Sequence, residues 1–328
     1  MFINYYLRDE FSCIYKQLSV GVKGKALSGL SFGLDRLMPY FMPSLAPVIS
    51  DIYFPDAYVY STKLRTFDLF RAPYFACYSY LSLGLALSKL RIYRRTFAAP
   101  VPFLLPHPVV LVHDYLNIRS SESRITNLSK VLFILPKSAP TVERSFEIEE
   151  ISSIVDRLRL LYNEVNVLIY HKDIELESFC GSLSLFDNIF CAGNRQDPLF
   201  YPRLISIYSL HSCIASPSLD VSLLYSAIAN RYFLYAPMDV QVSRSSIYQA
   251  SRLPSSEDMR LFYSVASDIQ PYKQFSSDKL RIFYDAPFTK SPTGYSVQSI
   301  QGLSPTYFFR FMQLLVRCYD RIIRTIAS

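Results

Sequence analysis

The stretch Asn188–Pro237, NIFCAGNRQDPLFYPRLISIYSLHSCIASPSLDVSLLYSAIANRYFLYAP, decides the fold. Ile189 to Ala192 is a short apolar run stopped by Gly193, and Cys213 to Ala215 and Tyr232 to Tyr235 are two more. Between them, Tyr201 to Leu210 carries Leu204, Ile205 and Tyr208 at helical spacing, and Val221 to Ile228 is apolar enough for a buried helix. Short apolar strands alternating with helices of about 10–15 residues predict a parallel α/β sheet. Ligands of such sheets sit beyond the carboxyl ends of the strands. The turn Ser216-Pro217-Ser218, at such an end, is therefore the first place to look for a bound phosphate.

Upstream the pattern continues. Val131 to Leu135 reads as a strand ending in Pro136-Lys137-Ser138-Ala139-Pro140. Glu147 to Leu161 reads as an amphipathic helix with Ile148, Ile151, Ile154, Val155, Leu158 and Leu161 on one side. Val165 to Tyr170 reads as the next strand, followed by His171-Lys172-Asp173.

The 328 residues suffice for two ordinary domains, and the apolar half of the composition excludes a disordered chain. The six cysteines form no CxxC pair and no histidine stands at metal-ligand spacing, so buried reduced thiols are expected and no metal site. Met1 to Leu7 is apolar-aromatic, but Arg8, Asp9 and Glu10 follow too soon for a secretory leader. A formal charge of +7 suits anionic lipid or anionic substrates. Nucleic acid ranks last, because the basic residues are spread singly apart from Arg91, Arg94 and Arg95.

The first part of the chain is less periodic. Ser19 to Gly33 holds four of the nine glycines with Lys23 and Lys25, a surface linker or a basic loop. Leu37 to Val48, with three prolines, reads as loop or broken helix. Ala57 to Tyr60 is a predicted strand and Thr62 to Phe70 a predicted helix. Tyr74 to Tyr93 approaches the roughly 20 apolar residues of a membrane span. Its serines, Lys89 and Arg91 favour instead a buried helix followed by a strand at Leu90 to Tyr93. Val109 to Val112 reads as a strand followed by His113-Asp114. The polar stretch Asn117 to Ser129 marks a boundary, giving domains at 1–125 and 126–300.

Beyond Pro237, Ser255 to Ala266 is a predicted helix and Leu280 to Tyr284 a predicted strand. Residues 301–328 form a basic amphipathic segment, with a helix from Pro305 bearing Arg310, Arg317, Arg321 and Arg324 near one side. Such a helix packs on the core with its arginines in water, or lies on an anionic membrane.

The order of these motifs resembles the donor-binding half of bacterial GT-B glycosyltransferases that build capsule or lipopolysaccharide. The resemblance runs from Val131 to Pro237. It rests on Leu135-Pro136-Lys137-Ser138, Tyr170-His171-Lys172-Asp173-Ile174, Ala192 to Pro198, Phe200 to Leu204, and Ala215-Ser216-Pro217-Ser218 before Leu224 to Ala227. It implies an α/β fold of two Rossmann-like domains facing across a cleft. It also implies metal-independent transfer of a sugar from a CMP- or UDP-linked donor to a surface polysaccharide or lipopolysaccharide. The nucleotide-sugar is a substrate and no cofactor is implied. The expected partners are that donor, a glycan or glycolipid acceptor and an anionic membrane surface, with no nucleic acid. The expected place is the cytoplasm, peripheral on the inner membrane. Two departures favour an alternative, a non-catalytic relative that binds in polysaccharide assembly. Lys137-Ser138 stands where a His-Ser pair is usual, and Leu219-Asp220-Val221-Ser222 replaces a small Gly-Thr or Gly-Ser step.

Glycosyl transfer leaves negative charge on a phosphate. Without a metal, helix N-termini, hydroxyls and cations must meet it. The candidates at strand ends are Lys137 with Ser138, His171 with Lys172, Arg195, and Ser216, Ser218 and Ser222. Taken singly, each serine is as well explained as a helix cap and Lys172 as a solvated charge; convergence on one sheet edge is the argument for a site. An inverting transferase also needs a base, which the resemblance places in the first half. Among Asp56, Asp68, His107, His113 and Asp114, the pair His113 and Asp114 is preferred as catalytic because it follows a predicted strand.

Overall fold

The computed structural model of the protein describes residues 2–7, 34–43, 52–54, 72–78, 83–91 without 85 and 89, and 100–119 without 106. It further describes 129–136, 144–171, 173–175, 181–194, 197–219, 221–239, 241–242 and 268–276. The predicted elements at 57–60, 62–70, 255–266, 280–284 and 305–328 and the glycine-rich stretch 19–33 lie outside the described residues.

In chain order the elements are β1 (Ile3–Asn4), α1 (Leu34–Phe41), β2 (Ile52–Tyr53), β3 (Tyr74–Cys77), β4 (Val101–Leu104), α2 (Pro108–Arg119) and β5 (Lys130–Ile134). They continue with β6 (Arg144–Ser145), α3 (Ile148–Arg159), β7 (Glu164–Ile169), β8 (Ile189–Cys191), α4 (Phe200–Ser209) and β9 (Cys213–Ser216). The last are α5 (Val221–Ile228), β10 (Tyr232–Tyr235), β11 (Gln241–Val242) and β12 (Gln274–Phe275). The protein is mixed α/β. A seven-stranded sheet has the order β1-β8-β7-β5-β9-β10-β12, parallel except for β12 at one edge. A second sheet, β2-β3-β4, is parallel throughout.

The large sheet is buried on both faces, which is why its strands read as continuous apolar runs. Side chains alternate across a strand. Val131, Phe133, Val165, Val167, Ile169 and Ile189 pack on one side with Ile151, Ile154, Val155 and Leu158 of α3. Leu132, Leu168, Phe190, Ile214 and Phe233 pack on the other with α4 and α5. That second core also takes in Val109, Val112 and Leu116 of α2 and Tyr74, Ala76 and Ile52 of the small sheet.

From β5 the chain moves outward through α3 to β7 and then β8; it returns through α4 to β9, on the far side of β5, and goes on through α5 to β10. Because parallel crossovers keep one hand, reversing direction puts α4 and α5 on the face opposite α3. The two directions diverge between β5 and β9.

Each helix follows from its sequence. In α3 the buried residues recur at i, i+3, i+4 and i+7, with Glu149 and Glu150 in the first turn and Arg157 and Arg159 in the last, complementing the helix dipole. Ile148 and Leu161, predicted to face inward, are 41% and 55% exposed. Ile148 is the first helical residue and Leu161 lies in the turn after the helix, so neither continues the buried stripe.

Two expectations are corrected. The stretch from Tyr74 is strand first and helix second: Tyr74–Cys77 pairs with both neighbours, whereas 83–84, 86–88 and 90–91 are helical. Ala86 and Leu90 are buried one turn apart, with Ser88 and Arg91 exposed between and after them. Pro73 and Pro102 fit here, one just before β3 and the other in β4, which pairs only with β3 among the described strands. Val109 to Val112 is not a strand but the start of α2, where Pro108 takes the first helical position and Val109, Val112 and Leu116 form a helical stripe. Residues 34–41 form a helix despite Pro39.

Among the described residues no helix is long and apolar enough to cross a membrane.

Candidate functional site

The carboxyl ends of β5, β7, β8 and β9 surround a cleft of about 690 Å³, including its open mouth. It lies where the strand order reverses, the place at which open parallel sheets hold ligands. Pro136 and Leu135 follow β5, Tyr170 follows β7 and Gly193 follows β8; Ser216 to Ser218 end β9, and Ser222 and Tyr225 come from α5. Phe200 and Tyr208 of α4 complete an aromatic wall.

The loop after β8 is tightly held. Gly193 has φ 83°, and a Cβ there would stand 2.8 Å from Nη1 of Arg203. That guanidinium donates to Asp197 Oδ2 at 2.6 Å and to the Ala192 carbonyl at 3.4 Å. Asp197 Oδ1 in turn accepts the Leu199 amide at 2.9 Å just before α4. The Gly193 amide donates to Cys191 Sγ at 3.3 Å. The backbone conformation favours glycine here, and a Cβ would displace the Arg203 guanidinium.

The turn after β9 is built on serines. Ser216 is buried, and its Oγ accepts the Ser218 amide at 3.3 Å. This short-range turn ends the strand and leads into α5. Ser222, also buried, sits in the first turn of that helix, where backbone N–H groups carry partial positive charge. Thus Ser216, Ser218 and Ser222 meet at one cleft.

His171 lies one residue beyond Tyr170, half-buried, its ring edge-on to Tyr170 at 4.5 Å; it is not among the described lining residues. Lys137, Ser138, Lys172 and Arg195 lie outside the described residues. His113 and Asp114 do not follow a strand: they stand inside α2, 3.6 Å apart, with side chains 19% and 56% exposed. That helix packs against α4 and α5, and neither residue is among those lining the cleft. The physical reason is the helical turn at Pro108, which converts an apparent strand end into a helix interior.

The described lining residues include no acid and no cation; their polar groups are hydroxyls and backbone. They are suited to hold a ligand with planar and phosphate-like parts, by aromatic contact and hydroxyl or amide donation. Among the described residues no group of three potential metal ligands is found.

Sequence reasoning missed the aromatic wall. Its signal was present: Leu204 and Tyr208 are one turn apart on α4, and Ser222 and Tyr225 are one turn apart on α5. It also missed the role of His107. This residue is fully buried, and its Nδ1 accepts the Val109 amide at 3.2 Å at the start of α2. Rings of Tyr78, Tyr201 and Tyr225 stand 5.0, 5.8 and 5.7 Å from it. Burial pushes its pKa down to about 3, so the ring is neutral.

The opposite edge of the same sheet is closed. Lys130 Nζ pairs with Glu164 Oε2 at 2.5 Å. Asn166 Nδ2 donates to Glu164 Oε1 and to His211 Nε2 at 2.8 and 3.0 Å. Asn188 Nδ2 donates to Asn166 Oδ1 at 3.0 Å. His211 Nδ1 lies 2.7 Å from the Ile207 carbonyl, so Nδ1 carries the proton and Nε2 accepts. Burial holds the pKa of His211 down at about 4, against smaller opposing contributions from the Ile207 carbonyl and Glu164. Burial would raise that of Glu164, but the Lys130 and Asn166 hydrogen bonds and the Lys130 charge together lower it.

No family model matches the chain, and no curated protein matches it.

Proposed function

We propose that the cleft binds the nucleotide part of a nucleotide-sugar. In this reading the chain is a metal-independent glycosyltransferase acting on a surface polysaccharide or lipopolysaccharide acceptor at the cytoplasmic face of a membrane. The observation that carries the reading is the position of the cleft at the reversal between β5 and β9, with Ser216, Ser218 and Ser222 at its rim. Ligands of open parallel sheets lodge at such a point. The N-terminal turn of α5 and the serine hydroxyls would receive the phosphate, and Phe200 and Tyr225 the planar base or sugar. Lys137, Lys172 and Arg195 would supply the cations that the described lining lacks. The small parallel sheet would belong to the acceptor-side domain (1–125), facing the nucleotide-binding domain (126–300) in a GT-B arrangement.

A second reading, binding without turnover, is favoured by one observation: no carboxylate, histidine, lysine or arginine is among the described residues that line the cleft, and His113 and Asp114 stand elsewhere on α2. A panel of CMP-, UDP- and GDP-sugars incubated with the purified chain separates the two. Release of free nucleotide or transfer to an oligosaccharide supports the enzyme. Saturable nucleotide binding with every donor left intact supports the binding protein. No binding of any nucleotide or donor refutes both.

A further inference from the structure

A residue of the first half of the chain, His107, packs against Tyr225 of the cleft lining. His107 immediately precedes α2, at the cap position where Ser, Thr, Asn or Asp would serve the backbone equally well. Its Nδ1 already performs that capping task on Val109. The proton therefore sits on Nε2, where no nitrogen or oxygen partner is found among the described residues. Around the imidazole stand tyrosines from three elements: Tyr78 just past β3, Tyr201 on α4 and Tyr225 on α5. Tyr225 is itself flanked by Tyr201 at 6.3 Å and Tyr208 at 6.5 Å, and it lines the cleft. Within the core shared by the two sheets, this imidazole thus stands between Tyr78 and the cleft-lining Tyr225.

We propose that His107 is a positioning residue for the cleft: capped in one orientation on α2, its ring holds the Tyr225 ring in the wall that a bound nucleotide meets. The imidazole stands tilted at 48° to the Tyr225 ring and edge-on to those of Tyr78 and Tyr201, within the range of separations at which aromatic rings attract. A capping residue without a ring would leave that contact empty. The idea rests on the nucleotide reading of the cleft, but its structural half does not depend on a ligand.

The test uses the full chain and two substitutions. His107→Asn keeps an acceptor for the Val109 amide and removes the ring; His107→Phe keeps a ring and removes the acceptor. The readouts are nitrogen-15 spectra of the four histidines, ring resonances of Tyr225 assigned with Tyr225→Phe, and titration with UDP and CMP. In the unmodified chain, His107 is expected as the Nε2–H tautomer, and its signal moves when nucleotide binds while that of His211, on the far edge, stays. In His107→Asn, Tyr225 is expected to shift and broaden while Tyr162, on the other face of the sheet, does not. Nucleotide affinity then falls about three- to tenfold, the worth of one aromatic contact. In His107→Phe, Tyr225 stays in place while the melting temperature drops. A proton on Nδ1, or a Tyr225 signal unmoved in His107→Asn, overturns the proposal. If His107→Asn does not fold, the tautomer and nucleotide response of the unmodified chain decide. If neither nucleotide binds, the nucleotide reading alone fails, and the Tyr225 signal still decides the part played by His107.

Discussion

The two edges of the large sheet are made by the same strands and differ in what they do with polar groups. At the amino edge, Lys130, Glu164, Asn166, Asn188 and His211 satisfy one another in a buried or half-buried network. At the carboxyl edge, Ser216, Ser218, Ser222 and the start of α5 border an open cleft. A polar group inside a fold is stabilising only when its partners are supplied. The amino edge closes its polar groups into one network across four strand starts, whereas at the carboxyl edge the serine turn and the start of α5 border a cleft. Stability should therefore be concentrated at one edge and ligand response at the other.

Acid is the strongest way to break this contrast. His107, behind the cleft, and His211, in the network, have pKa values lowered from 6.5 to about 3 and about 4. Below pH 6.5 the unfolded chain takes up protons that the folded chain refuses, so stability falls as pH drops, until the folded values are reached. Going from pH 7 to pH 5 should remove on the order of 4 kcal/mol from the two residues together. Urea unfolding at several pH values measures this, and His211→Gln should lose about half of the slope in that window. An unchanged slope would contradict the buried neutral His211.

Removing the centre of the network comes next. Asn166→Ala strips His211 Nε2 of its donor and Asn188 of its acceptor, and should cost about 2–3 kcal/mol in equilibrium unfolding. Gly193→Ala, at the other edge, should cost about 1–2 kcal/mol, because alanine at that φ is strained and the Arg203–Asp197 pair must move. The smallest change sharpens the comparison most. Ser218→Ala at the cleft should alter stability by less than about 0.5 kcal/mol, while weakening any nucleotide bound there. A Ser218→Ala chain as unstable as Asn166→Ala would show the cleft rim to be structural.

Much of the large sheet was legible because its strands are short apolar runs closed by Gly193, Pro136 or Pro217, and its helices carry one apolar stripe. Val221–Ile228 and Tyr232–Tyr235 follow the sequence pattern to the residue. The serine rim was legible for the same reason, since parallel strands place their carboxyl ends on one side. The small sheet was not. Tyr74 to Cys77 and Val109 to Val112 are apolar runs of equal length, and one is strand and the other helix. What separates them is Pro108 at a helix start and the burial of Leu116 one further turn on, features that periodicity over four residues does not register. The amino-edge network was equally hidden, because Asn166 and His211 are 45 positions apart and only the sheet order brings them together. The role of His107 was out of reach in the same way: its three tyrosine neighbours come from three elements.

The most direct test of the central claim is a residue-resolved nucleotide titration. Amide and side-chain resonances of the full chain are followed as UDP or CMP is added. The account predicts saturable shifts at Gly193, Ser216, Ser218 and Tyr225, with Asn166, Asn188 and His211 unmoved. Shifts centred on the amino-edge residues, or saturable binding that leaves the carboxyl-edge cleft unperturbed, would contradict it.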